Sequence, residues 1–272
     1  MPTTHTSFGT VDYTDEGSGL PILLLHATLH DRTDFAPVYD ALADGHRVLA
    51  LDWPGHGASP LSADPLGAVQ FGDLLVEFAD MLNLRELVVV GNSVGGYAAC
   101  RLAIESQERV AGLVLVNTGG FTRHSAVTRL VCAVMGKPAV LKAVFPVFVR
   151  AYMRAKSPAD RAVVARVTAR SKTADGARTA AALWKSFTGA GHDLRSRAAQ
   201  ITAPVLITWG ARDLTAPLRW GKAVQSAIPG SRFEALPTGH VVFSSEPSDW
   251  LDMVLPFVDA AHGVRHRAER HS

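Results

Sequence analysis

Five short apolar runs, separated by longer amphipathic stretches, constrain the fold of this chain more than any other feature. They are PILLLH (Pro21–His26), HRVLALD (His46–Asp52), ELVVVGN (Glu86–Asn92), VAGLVLVN (Val110–Asn117) and PVLITWG (Pro204–Gly210). Each is a near-continuous series of leucine and β-branched residues, the pattern of a strand covered on both faces. RFEALP (Arg232–Pro237) is a sixth, less apolar run. Helical patterns lie between them, over Leu66–Leu82, Gly95–Ser106, Pro217–Ala227 and Pro247–Ala261. Such alternation builds a mostly parallel sheet flanked by helices, so the expected class is α/β. The opening FGTVDYTDEGSG alternates and suits an antiparallel edge hairpin.

One interval breaks the rhythm. From Gly119 to about Ile201 no strand is visible, only helical segments rich in Ala, Val, Arg and Phe. Pro138 and Pro146 should each end or kink a helix there. A helical insertion between sheet strands reads as a cap over the sheet's carboxyl edge, where open α/β sheets bind ligands. The expected division is therefore a core in two parts, 1–118 and 201–262, a helical cap over 119–200, and a flexible basic tail over 263–272.

Composition narrows the function. With 272 residues, 47% hydrophobic and 19% charged, the chain can bury one large core and is not a disordered or coiled-coil protein. Its 27 basic and 25 acidic residues, net charge +2, do not suggest nucleic acid or a membrane surface as the main partner. No apolar run is long enough for a membrane span, and the N-terminus lacks a signal-peptide pattern, so a cytoplasmic protein is expected. Cys100 and Cys132 sit in no metal-ligand spacing and are expected to be reduced and buried. No metal or organic cofactor is called for.

The sharpest motif is GNSVGG, with Ser93 at its centre. It follows the strand LVVVG directly and precedes a helix directly, the setting of a nucleophile elbow. There a strained turn lifts the serine hydroxyl above the sheet and aims the Val94 N–H at the same spot. A serine hydroxyl is a poor nucleophile at neutral pH and needs a base, itself oriented by a third group. Asp213 follows the strand PVLITWG, and His240 follows RFEALP, so both fall on the edge where Ser93 emerges. The expected catalytic residues are Ser93 as nucleophile, His240 as base and Asp213 as its orienting acid.

From about Phe8 to Ala261 the chain resembles the α/β-hydrolase superfamily, in its serine-nucleophile, cap-containing branch. DWPGHGAS matches that superfamily's D-x-x-G-x-G-x-S turn through Asp52, Gly55, Gly57 and Ser59, which are read as structural. The resemblance implies an α/β-hydrolase fold and an oxyanion hole after the first buried strand. His26-Ala27-Thr28 stands here where the superfamily usually has His-Gly, so Thr28 and Val94 are the expected oxyanion donors. His26 is read as loop scaffolding and His30 as pocket lining. Phe121, Phe148, Trp184 and Val241, with Phe145 and Phe187, are candidates for an apolar acyl pocket.

The implied reaction is hydrolysis of an ester, lactone or thioester of a small hydrophobic molecule. GNS followed by an apolar residue and GG is also similar to the meta-cleavage product hydrolases, which break carbon–carbon bonds. Those enzymes usually carry a tryptophan after the catalytic histidine, where this chain has Val241. Epoxide hydrolases and haloalkane dehalogenases of this fold use an aspartate nucleophile, which Ser93 replaces. An acyltransferase, a perhydrolase or a non-catalytic ligand receptor on the same fold are the other readings.

Overall fold

The computed structural model describes the backbone of residues 1–269 and side-chain surroundings for residues 1–263. Its centre is an eight-stranded sheet in the order β1-β2-β4-β3-β5-β6-β7-β8. The strands are β1 (Thr3–Thr6), β2 (Gly9–Gly17), β3 (Pro21–Leu25), β4 (Arg47–Leu51), β5 (Leu87–Asn92), β6 (Val110–Val116), β7 (Val205–Gly210) and β8 (Arg232–Leu236). From β4 across to β8 every pairing is parallel. β1 and β2 form the expected edge hairpin, which joins β4 antiparallel. Its tight turn falls at Ser7–Phe8, and Gly17 to Gly19 instead lead the chain into β3.

Alternation along each strand divides its side chains between two apolar layers. Leu23, Leu25, Val89, Leu113 and Ile207 face one layer; Ile22, Leu24, Val90, Val114 and Leu206 face the other. This double burial is why the strands read as continuous apolar runs. Helices α2 (Ala68–Met81) and α3 (Val94–Glu105) cover the first layer, while α1 (Ala36–Ala43) and α10 (Pro247–Glu269) cover the second. In α2 the buried residues Phe71, Leu74, Leu75 and Phe78 recur at helical spacing, so a single stripe meets the sheet. The remaining core helices are α8 (Leu218–Ala227) and the single turn α9 (Val242–Ser245).

Between β6 and β7 the chain builds α4 (Ala126–Met135), α5 (Pro138–Met153), α6 (Pro158–Ser171) and α7 (Ala174–Ser186), and no strand. Ser125, Ser157 and Thr173 cap α4, α6 and α7 by accepting from the backbone N–H of Thr128, Asp160 and Gly176. Pro138 starts α5 at a position where its missing N–H costs nothing, whereas Pro146 lies inside the same helix without ending it. Among the described residues no single helix is long and apolar enough to cross a membrane. Helix α10 runs on to Glu269, and positions 270–272 of the expected basic tail lie outside the described residues.

Candidate active site

Ser93 sits between β5 and α3 at φ 57° and ψ −114°, a left-handed strained conformation for a residue with a side chain. The neighbouring glycines are required by close approach. A Cβ on Gly91 would lie 2.5 Å from the Gly95 carbonyl oxygen, and one on Gly95 would lie 2.4 Å from that of Leu25. The strain is held from both sides. Ser93 N–H donates to the Val116 carbonyl at 3.0 Å, and the Ser93 carbonyl accepts from Gly119 N–H at 2.9 Å. Asn92 extends the brace, its side-chain amide donating to the carbonyls of Val116 (3.0 Å) and His240 (3.1 Å). The turn carrying Ser93 is thus tied directly to the loop carrying His240.

That loop is positioned further by His240 N–H, which donates to the Tyr152 carbonyl of α5 at 3.0 Å. The His240 ring bonds Asp213 Oδ2 through Nδ1 at 2.5 Å. Asp213 Oδ1 accepts from the Thr215 N–H and hydroxyl, both at 2.8 Å, and from Ala216 N–H at 3.0 Å. Asn117, at the end of β6, donates to Asp213 Oδ2 at 2.9 Å while accepting from Gly210 N–H at 2.8 Å. Burial alone would raise this carboxyl, but the His240 ring and the Thr215 bonds outweigh it and hold Asp213 below the ordinary carboxylate range. An ionised Asp213 assigns the ring proton to Nδ1 and leaves Nε2 free to accept another. No hydrogen bond joins the Ser93 and His240 side chains, a separation common in resting sites that tighten on substrate.

Ser93, His240, Thr28 and Val94 line one cavity of about 410 Å³. The Thr28 hydroxyl is buried with no hydrogen-bond partner among the described residues. His26 has the scaffolding role expected of it: its ring meets the Ala27 carbonyl through Nδ1 at 2.7 Å, and Nε2 accepts from Trp53 N–H at 3.1 Å. Asp52 likewise serves the turn, accepting from the backbone of Arg32 and Ala58. His30 lines the cavity but is not free; it bonds Asp34 through Nδ1 and the Tyr152 hydroxyl through Nε2, the latter at 2.8 Å. Burial, followed by the charges of Asp34 and Asp213, pushes the Tyr152 phenol well above its ordinary value, so it stays protonated.

Phe145, Phe148, Trp184 and Phe187 of the insertion form an apolar wall of the cavity that Ser93 also lines. Two expected pocket residues are not there. Phe121 lies in the core layer of α2 and α3, and Val241 is fully buried in the opposite layer beneath His240. Adjacency to a site residue in sequence does not carry direction, since successive side chains in a turn point apart. Sequence reasoning also missed Asn92, Asn117, Tyr152, Thr215 and His192. His192 is buried between Tyr97 and Phe187, with Nε2 unpartnered among the described residues. Burial, with His124 nearby, lowers it to about 4 and keeps it neutral. Only Asn92 carried a signal, its place inside the elbow motif. Cys100 and Cys132 are free and buried, as expected.

The profile of the Alpha/beta hydrolase family matches residues 22–252, and the chain belongs to that family. A 2-hydroxy-6-oxononadienedioate/2-hydroxy-6-oxononatrienedioate hydrolase of Cupriavidus pinatubonensis is 30% identical over 80% of this chain and 79% of its own length. Haloalkane dehalogenase 2 of Mycobacterium tuberculosis is also 30% identical, over 77% of each chain. Equal identity to a hydrolase of that name and to a haloalkane dehalogenase fixes the family and leaves the reaction to the site. The crystal structure of the enol-lactonase from Burkholderia xenovorans superposes with a TM-score of 0.82 at 23% identity, covering 95% of this chain and all of that one. That likeness is one of fold.

Proposed function

We propose that this member of the family is a serine hydrolase that cleaves an ester, lactone or thioester of a small hydrophobic molecule in the cytoplasm. The observation that carries the reading is a strained Ser93 opening into the same apolar cavity as a histidine hydrogen-bonded to a buried carboxylate. His240 Nε2 takes the Ser93 proton as the hydroxyl attacks the carbonyl carbon. The backbone N–H groups of Val94 and Thr28, with the unpartnered Thr28 hydroxyl, hold the oxyanion; each such donor is typically worth about 3 kcal/mol. Collapse expels the alcohol or thiol, protonated by His240, and leaves an acyl group on Ser93. A water deprotonated by His240 then releases the acid. Asp213 stays ionised and stabilises the imidazolium that forms.

Carbon–carbon hydrolysis uses the same serine and is favoured by the Cupriavidus relative. The cavity speaks against it: among the described residues, no Lys or Arg lines it to meet the two carboxylates in that relative's substrate name. An uncharged acyl chain fits the Phe145–Phe148–Trp184 wall better. Hydrolysis of p-nitrophenyl esters from acetate to dodecanoate, by wild type and Ser93→Ala, tests the proposal. The expected result is activity with a chain-length optimum that drops on the order of a thousandfold or more in kcat for Ser93→Ala. No turnover of any ester by wild type sinks the acyl-hydrolase reading.

A further inference from the structure

We infer that the α4–α5 face of the insertion docks on an anionic phospholipid bilayer and that acyl substrate reaches Ser93 from the lipid side. Helix α4 exposes Val127 (71%), Leu130 (65%), Val131 and Val134, which recur at helical spacing as one apolar stripe. Helix α5 adds Val147 (67%) and Val144. Single exposed valines are ordinary, but a contiguous stripe marks an interaction surface. It is continuous with the site, because Val127, Val131 and Leu214 (64% exposed) also line the cavity of Ser93 and so form its mouth.

Charge identifies the occupant. No Asp or Glu occurs between Glu108 and Asp160, while Arg123, Arg129, Lys137, Lys142, Arg150 and Arg154 all fall in that interval. All six are exposed, and none makes a salt bridge among the described residues. The overall charge of +2 conceals this segregation, since the rest of the chain is net acidic. Arg150 and Arg154 carry the positive surface on to Arg161 and Arg212 around an open depression of about 500 Å³. An apolar stripe rimmed by cations suits an anionic interface, where the aliphatic parts of Lys and Arg reach past the headgroups. A second copy of this chain would set like charges against each other. Helices α4 and α5 together have the apolar composition of a membrane segment, yet they meet at 105° and bury Cys132, Met135, Leu141 and Phe145 against the protein. They therefore lie on a bilayer and do not cross it.

Substrate delivery rests on the acyl-hydrolase reading, while docking does not, and the test keeps the two apart. Wild type and Ser93→Ala are sedimented with phosphatidylcholine vesicles, with and without phosphatidylglycerol. Both are expected to pellet with the anionic vesicles, and at least about tenfold less with phosphatidylcholine alone or at high salt. Leu130→Glu, and separately Arg129→Glu with Lys137→Glu, should lower binding at least about tenfold while hydrolysis of soluble p-nitrophenyl butyrate stays at the wild-type rate. None of these three residues lines the cavity, and circular dichroism verifies that the variants fold. The inference is overturned if wild type stays in solution with anionic vesicles or if the variants pellet as wild type does. A dimer in sedimentation velocity that Leu130→Glu dissociates overturns it equally. Normal pelleting of both proteins with no ester turnover by wild type leaves docking standing and removes the hydrolase reading.

Discussion

The carboxyl edge of the sheet and the helical insertion above it are built on opposite terms. At the sheet edge, the polar groups around His240 are tied together: Asp213 accepts from Thr215, Ala216, Asn117 and His240, and Asn92 and Asn117 each tie two loops together. The donors and acceptors come from strand ends, whose positions the sheet ladder already fixes. In the insertion the cavity lining is largely aromatic and aliphatic, and the α4–α5 face leaves valines exposed and cations without a salt bridge among the described residues. The lesson is a division of labour. Chemistry that tolerates little displacement is placed on hydrogen-bonded strand ends. Under the proposed function, selection of an apolar acyl group, which needs volume more than direction, falls to helices whose side chains repack at little cost.

Arg166 and Arg170 of α6 cross that division. Arg170 donates to the carbonyls of Leu29 (2.8 Å) and His30 (2.6 Å), and Arg166 donates to Asp34 at 2.6 Å. Leu29 is held at φ 67°, so the loop bearing Thr28 keeps its path partly through this clamp from the insertion.

Breaking the paired region should have the largest effect. Asp213→Asn is expected to lower kcat on the order of a thousandfold or more with little change in KM, because the amide favours the wrong His240 tautomer; steady-state ester hydrolysis reads this. His192 offers the next largest effect, in stability. Its folded value of about 4 lies below the ordinary value of about 6.5, so between these the unfolded chain binds more protons. Stability contributed by the neutral ring is present above about pH 6.5 and lost as pH falls toward 4, on the order of 3 kcal/mol. Urea unfolding of wild type and His192→Phe at the two ends should show a smaller loss in the variant.

Arg170→Ala tests the crossing point. It should lower kcat roughly ten- to a hundredfold while KM moves little, since Thr28 is displaced from the oxyanion but the aromatic wall remains. A change confined to KM would assign the clamp to substrate binding. Phe148→Ala should do least, moving the ester chain-length optimum to longer acyl groups and changing acetate hydrolysis by less than about threefold. Equal losses on every ester would place Phe148 in the chemistry and erase the contrast between the two regions.

Much of the fold was legible because strand and helix periods differ and both are local. The runs at Pro21, His46, Glu86, Val110, Pro204 and Arg232 all became strands within a residue or two of their expected ends. The loops of Ser93, Asp213 and His240 were legible for the same reason: each follows a strand of a parallel sheet, so all three meet at one edge. Phe121 and Val241 were misplaced because side-chain direction in a turn depends on backbone torsions that residue type does not state. Asn117 and Tyr152 stayed hidden because their partners lie 93 and 122 residues away.

What the sequence determined by itself is the class of the molecule: a doubly covered parallel sheet, a strand–turn–helix that presents Ser93, and an all-helical insertion. Those follow from hydrophobic period, glycine placement and proline punctuation, which act over a few residues. Tertiary structure alone decided which polar side chains brace the His240–Asp213 pair, which aromatics face the cavity, and that the insertion turns an apolar and cationic face outward. Such facts depend on distant segments meeting in one orientation, and no local pattern encodes a meeting of that kind.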